Sequence, residues 1–210
     1  SVVIVEFDLS IDPKLAARVK SADLIIAIGA RLGEMTTSDY TLIEVPYPKQ
    51  KLVHVHPSGD ELGRVHAPTL AINSSSRSFL DAFESLVVKP GRWSEWRAVA
   101  RADYEDSLRA EPTPGDLKLE QVAKALNDLL PADAILTNGA GNYTSFFHRY
   151  YEFKSYRTQL APTCGAMGFG LPAAIGAAIA DRQRTIVALA GDGCFLMNGQ
   201  ELATANQYGL

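Results

Sequence analysis

Residues 185–190, Thr-Ile-Val-Ala-Leu-Ala, carry no charge and run straight into Gly191-Asp192-Gly193. An apolar run of that length, closed by a glycine turn, reads as a strand buried on both faces, the kind that parallel sheets need. Residues 200–207, Gln-Glu-Leu-Ala-Thr-Ala-Asn-Gln, read as the helix that follows. A strand, a glycine turn and a helix in this order commit the chain to an α/β fold with ligand-facing turns at the carboxyl ends of its strands. Glycine lets the backbone approach a ligand closely. Asp192 supplies one hard carboxylate, which suits a Mg²⁺ shared with a diphosphate. As a bare tripeptide, Gly-Asp-Gly is weak evidence. Its neighbours strengthen it.

Upstream, Gly165, Gly168 and Gly170 open a small-residue helix in Gly-Ala-Met-Gly-Phe-Gly-Leu-Pro-Ala-Ala-Ile-Gly-Ala-Ala, residues 165–178. Further back, the strand-like residues 134–136 lead into Thr137-Asn138-Gly139-Ala140-Gly141-Asn142-Tyr143. Three glycine-rich turns, each leading into a helix, point to a single phosphate-binding edge. Every residue singled out also has a plainer role. Met167 fills a gap in a core, Asn142 caps the next helix, and Cys194 and Cys164 behave as small hydrophobes. Glu201 is read as a helix-start carboxylate.

In this order the three motifs resemble the diphosphate-binding domain of thiamine diphosphate enzymes, most closely the acetolactate synthase-like branch. The resemblance implies thiamine diphosphate and Mg²⁺ as cofactors. Asp192 matches the metal aspartate, while Gly191, Gly193 and Cys194 match the turn that touches the diphosphate. Gly141, Asn142 and Tyr143 match the turn that grips it from the other side. Met167 matches the apolar wedge that bends the cofactor, and Gly165 matches a position whose carbonyl receives the cofactor's amino group. By the same resemblance the parent protein decarboxylates a 2-oxo acid or transfers the acyl unit to an acceptor. The family's catalytic glutamate lies on a separate domain with no counterpart here, so no catalytic residue is assigned. The asparagine that completes the family's metal site also has no match, and Asn198 stands too close to Asp192, within the same glycine-rich loop, to serve. The chain therefore reads as part of a middle domain plus the first half of a diphosphate-binding domain, inactive by itself.

The rest of the sequence fits that reading. Residues 21–31 read as a buried strand running into a glycine turn at Gly29, after a helix at 13–20, and residues 51–57 form an alternating strand ended by Pro57. A helical turn at 60–65, a strand at 70–73 and an amphipathic helix at 78–87 complete an α/β pattern over residues 1–88. The fold class is α/β, with two parallel-sheet domains, both partial: a Rossmann-like middle domain and a thiamine diphosphate-binding fold. The turn Gly29-Ala30-Arg31-Leu32-Gly33 resembles one that binds FAD in some family members, but the fingerprint G-x-G-x-x-G is absent. FAD binding stays open, as do two alternatives: a nucleotide-binding module and a scaffold that keeps the fold without chemistry. His54 and His56 share one face of a strand and lack a third ligand at any recognisable spacing, so hydrogen-bonded or solvent-facing histidines are expected.

Residues 89–116 read as a connector: a charged helix at 92–109 with Trp93, Trp96 and Tyr104 as staples, then Pro112 and Pro114. Residues 117–210 form the second domain, opened by a helix at 117–130. With 20 Lys+Arg against 24 Asp+Glu, the net charge of −4 argues against nucleic acid. The basic and aromatic residues from Arg149 to Arg157 are instead read as a subunit contact in a homodimer or homotetramer. No run is long enough to span a membrane, and two cysteines without a framework fit a reducing, cytoplasmic setting. The partner that remains is a small 2-oxo acid substrate.

Overall fold

The computed structural model describes residues 12–84, 86, 91, 93–109 and 114–210. They fall into two compact units that divide between Arg109 and Ala110.

The first unit is built on a parallel sheet in the order β1-β2-β3, with β1 at Leu24–Ile28, β2 at Lys51–His56 and β3 at Leu70–Asn73. Its register aligns Ala27 with His54 and His54 with Ala71. Helix α1, Pro13–Ser21, starts where the chemistry of its first residues requires. The Asp12 carboxylate accepts from the amides of Lys14 at 2.7 Å and Leu15 at 3.2 Å, and Pro13 fills the first turn, where no amide is needed. Val19, Ala27, Leu32, Leu42, Ile43 and Leu52 form the core. Helix α2 spans Ser76–Glu84, starting two residues before the expected 78; residues 85 and 87 lie outside the described set.

Helix α3, Ser94–Ser107, lies against α1. Arg18 makes an ion pair with Asp103 and stacks its guanidinium 5.4 Å from the Trp96 ring centroid, and Lys14 meets Asp106 at 2.7 Å. Trp96 therefore acts as a staple through a cation–π contact. His54 and His56, 2% and 8% exposed, are the hydrogen-bonded histidines of the expected pair. His54 Nε2 lies 2.8 Å from the Ala30 carbonyl, and His56 Nδ1 accepts from the Ser58 amide at 3.1 Å. The bond to Ala30 ties the turn after β1 to the middle strand. The stretch at 1–8 and the linker residues 111–113 lie outside the described residues.

The second unit has its own parallel sheet, in the order β5-β4-β6, formed by β4 Ile135–Asn138, β5 Gln159–Leu160 and β6 Ile186–Leu189. Helices α4 (Leu119–Leu129), α5 (Tyr143–Tyr150) and α6 (Gly170–Ala180) accompany it, and the core gathers Ala123, Leu136, Phe147 and Tyr151. All four residues of β4 are buried, as expected for a strand between two neighbours. The short strand β5 gave no periodic signal in a segment read only for its charges and rings.

One expectation needs correction. The helix placed at 200–207 begins much earlier: α7 spans Asp192–Asn198, a 3₁₀ turn covers Gly199–Glu201, and α8 runs Leu202–Tyr208. Asp192 and Asn198 therefore sit at the two ends of one helix, not in one loop. Cys194-Phe195-Leu196-Met197 can form helix, and the glycines at 191, 193 and 199 concealed that potential when read as loop residues.

Burial raises the phenol pKa of Tyr151 from 10.0 and, as the largest influence, that of Tyr143 too. Unfolded tyrosines ionise first as alkali is added, so the stability linked to these two rings is full below pH 10 and disappears as pH climbs through their folded values. Urea midpoints of the second unit should therefore fall above pH 10, and Tyr151→Phe should flatten the decline; an unchanged slope in the variant would contradict it.

Candidate cofactor-binding site

The site gathers at the carboxyl ends of β4 and β6, which run side by side with Asn138 opposite Leu189. Such ends, in an open α/β sheet, are where ligands bind. From β4 the chain enters Gly139-Ala140-Gly141-Asn142 and then α5. From β6 it enters Ala190-Gly191 and then α7.

The third turn, residues 165–169, lies across from them. Its glycines at 165 and 168 adopt φ values of 66° and 80°, a backbone open to few other residues. Gly170 begins α6 in direct contact with both strand ends: a Cβ there would stand 3.0 Å from the Asn138 carbonyl carbon and the Gly139 nitrogen, and 3.2 Å from the Leu189 oxygen. Thr137, fully buried in β4, donates its hydroxyl to the Gly170 carbonyl at 2.7 Å. Close backbone approach and one buried hydrogen bond thus fix the start of α6 on the sheet.

Asp192 is exposed in the first turn of α7, its Oδ1 accepting from the Gly193 amide at 2.8 Å. Met167 is 46% exposed, and a Cβ on Gly193 would stand 2.9 Å from its methyl carbon. The apolar side chain and the metal-type carboxylate are thereby brought to neighbouring turns, and only a glycine at 193 leaves the methionine where it stands. Asn142 occupies the position before α5, yet its side chain makes no capping bond, and it is exposed with Gly141. The plainer role as a cap is not the one adopted. Cys194 is buried and donates its thiol to the Ala140 carbonyl at 2.9 Å. Burial opposes its ionisation, but backbone hydrogen bonding, led by Gly168, outweighs burial and holds the thiol below its ordinary value.

Two contacts escaped the sequence reading. The Tyr143 hydroxyl turns inward to Gly139 and Leu189. Asn198 donates its side-chain amide to the Gly168 carbonyl at 2.8 Å, so the far end of α7 holds the methionine turn. The residue set aside as a metal ligand has a structural task, and no local pattern announces it across thirty positions. Asn198→Ala should cost about 1 kcal/mol, the net worth of one such bond, visible as a lower Tm; an unaltered Tm would contradict this role.

These residues fit a diphosphate with its metal. The turns present exposed glycines and a polar asparagine, and one carboxylate is available where a divalent ion would bridge to phosphate oxygens. Among the described residues no group of three His, Cys, Asp or Glu could hold a metal unaided. Fold and site together are those of an α/β domain whose turns at the strand ends suit a phosphate-bearing cofactor.

The chain belongs to the thiamine pyrophosphate enzymes. Residues 139–210 match the family's C-terminal TPP binding domain, and residues 6–83 match its central domain. The first match begins at Gly139, the residue immediately after β4. Over 196 residues the chain is 30% identical to an acetolactate synthase large subunit from Haemophilus influenzae, covering 90% of this chain and 34% of that protein. It is 34% identical to acetolactate synthase 2, chloroplastic, from Nicotiana tabacum, again over 196 residues, covering 89% of this chain and 29% of the relative. A large subunit from Lactococcus lactis is 28% identical over 191 residues, with 90% of this chain and 33% of the relative covered. The chain thus spans about a third of the length of the curated relatives it matches.

Proposed function

We propose that this chain supplies the diphosphate-binding half of a thiamine diphosphate- and Mg²⁺-dependent enzyme that decarboxylates a 2-oxo acid, joins the acyl unit to a second carbonyl compound, or does both. The observation that carries this reading is the meeting of three turns at one sheet edge, with Asp192 and Met167 on neighbouring turns. Asp192 would hold Mg²⁺ and, through it, the diphosphate. Gly191, Gly193, Cys194, Gly141 and Asn142 would line the phosphates with backbone and amide donors, and Gly165 would offer its carbonyl to the far end of the cofactor. Met167 would support the cofactor between its two rings. Once bound, the cofactor supplies an electron sink for loss of CO₂ from a 2-oxo acid. The protein's share is to hold it and shape it.

The acetolactate synthases among its relatives favour a carboligation outcome. The exposed apolar side chains Ile179, Leu196 and Leu202 on α6, α7 and α8 support assembly into a homodimer or homotetramer. Both cysteines are free thiols, in keeping with a cytoplasmic setting. No helix among the described residues is long and apolar enough to cross a membrane. FAD on the middle domain is the weaker reading, since nothing in the Gly29 turn beyond its place after β1 favours it.

The test is turnover of the full-length protein with thiamine diphosphate, Mg²⁺ and a panel of 2-oxo acids, following CO₂ and acyloin products. Release of CO₂ that requires both cofactors is expected. Its absence across the panel, in protein that binds the cofactor, would remove the catalytic reading and leave the scaffold.

A further inference from the structure

We propose that Tyr143 is a positioning residue, an internal strut that sets the spacing of the two glycine turns at the ends of β4 and β6. It is not a group that reaches the diphosphate. The ladder between the two strands stops at Asn138 and Leu189. Beyond it the chains part into different helices, and the turns need another link to keep their separation.

The Tyr143 hydroxyl provides that link. It accepts from the Gly139 amide at 3.0 Å and donates to the Leu189 carbonyl at 3.1 Å, one bond to each strand end. A hydroxyl has a single proton. A phosphate oxygen is an acceptor and needs that proton, which is committed to Leu189. The ring occupies the same gap: a Cβ on Gly141 would stand 3.2 Å from its Cδ1 and Cε1, and one on Gly191 would stand 3.3 Å from Cε1. Both turns are therefore shaped against the same Cδ1–Cε1 edge of one ring. Cys194 adds a parallel link, from α7 to the Ala140 carbonyl. The strut itself follows from these contacts, while its consequence for cofactor affinity rests on the thiamine diphosphate reading above.

Phenylalanine at 143 keeps the ring and deletes the hydroxyl, leaving the Gly139 amide and the Leu189 carbonyl without that partner. Two measurements on the full-length Tyr143→Phe protein test the idea. Hydrogen exchange without cofactor or metal, read at the Gly139 amide, should quicken about tenfold, as expected for loss of a bond worth about 1.4 kcal/mol. Calorimetric titration of thiamine diphosphate at saturating Mg²⁺ should show a Kd raised about tenfold at full stoichiometry. A variant of which a fraction is irreversibly misfolded would instead bind fewer equivalents at an unchanged Kd, and that result overturns positioning. A raised Kd with unchanged exchange would make the hydroxyl a ligand and overturn the strut, as would no change in either.

Should the variant fail to fold, the wild-type protein still decides. Its Gly139 amide should exchange as slowly as that of Leu136, which bonds Thr158 at 2.9 Å within the sheet; rapid exchange there overturns the proposal. If the wild type binds no thiamine diphosphate, the cofactor reading falls and the exchange result alone judges the strut.

Discussion

Replacing Asp192 with alanine in the full-length protein should weaken Mg²⁺-dependent binding of thiamine diphosphate by at least about 30-fold. The figure follows from truncating one partner of a charge pair that the bound cofactor and its metal would bury, which costs about 2–5 kcal/mol, where 1.4 kcal/mol is a factor of ten. Asp192 is exposed, and its side chain accepts a hydrogen bond from the adjacent Gly193 amide. Removing it therefore leaves the core untouched, and the fold should survive. That makes the result easy to read by calorimetry with and without Mg²⁺. Asp192→Asn is the sharper version: it keeps an oxygen for the Gly193 amide and discards the charge. If the asparagine protein binds as the wild type does, the carboxylate is a helix-start residue and the metal assignment is wrong. If both variants lose affinity and the dependence on Mg²⁺ disappears with it, cofactor and metal ligand are established together.

The second large effect is expected at Gly170, and its sign depends on a contest. Within a helix, alanine is favoured over glycine by about 0.5–1 kcal/mol, because the unfolded glycine has more freedom to lose. At Gly170 the new Cβ would press on the Asn138 carbonyl carbon and the Gly139 nitrogen, both at 3.0 Å, and on the Leu189 oxygen at 3.2 Å. All three are backbone atoms and cannot rotate aside. Overpacking of this kind costs about 1–3 kcal/mol, so the clash wins and Gly170→Ala should destabilise the second unit by about 1–2 kcal/mol. It should also loosen cofactor binding, because α6 would move from the ends of β4 and β6 and carry the methionine turn with it. Gly176, in the same helix, has nothing within 4 Å of its would-be Cβ. Gly176→Ala should stabilise by about 0.5–1 kcal/mol. Opposite signs in one helix, measured by urea unfolding, are the expected result. Equal signs would mean that the close approach at Gly170 does not hold α6 in place.

The sequence alone determined the elements whose cause is local. The strands observed at 24–28, 51–56, 70–73, 135–138 and 186–189 lie in or beside runs that stood out because an unbroken apolar or alternating stretch closed by a turn residue marks a strand. The run at 185–190 is nevertheless not buried on both faces as expected, since Ala188 is exposed and its neighbours in β6 are only partly buried. The three glycine turns stood out because close backbone approach leaves a residue-type signature, and their order was enough to point to the family. The sequence also named Asp192 and Met167, whose chemistry is written in one residue each.

Only the tertiary structure decided what depends on partners distant in the chain. It showed that α3 lies on α1 through Arg18, Asp103 and Trp96, and that the two-residue strand β5 pairs with β4. It placed the start of α7 at Asp192, where three glycines had suggested a loop. It turned the Tyr143 hydroxyl inward to Gly139 and Leu189, and gave Asn198 the Gly168 carbonyl to hold. A hydrogen bond between residues thirty or more positions apart has no period and no motif. It exists because folding brings two polar groups out of water together, and each must find a partner there.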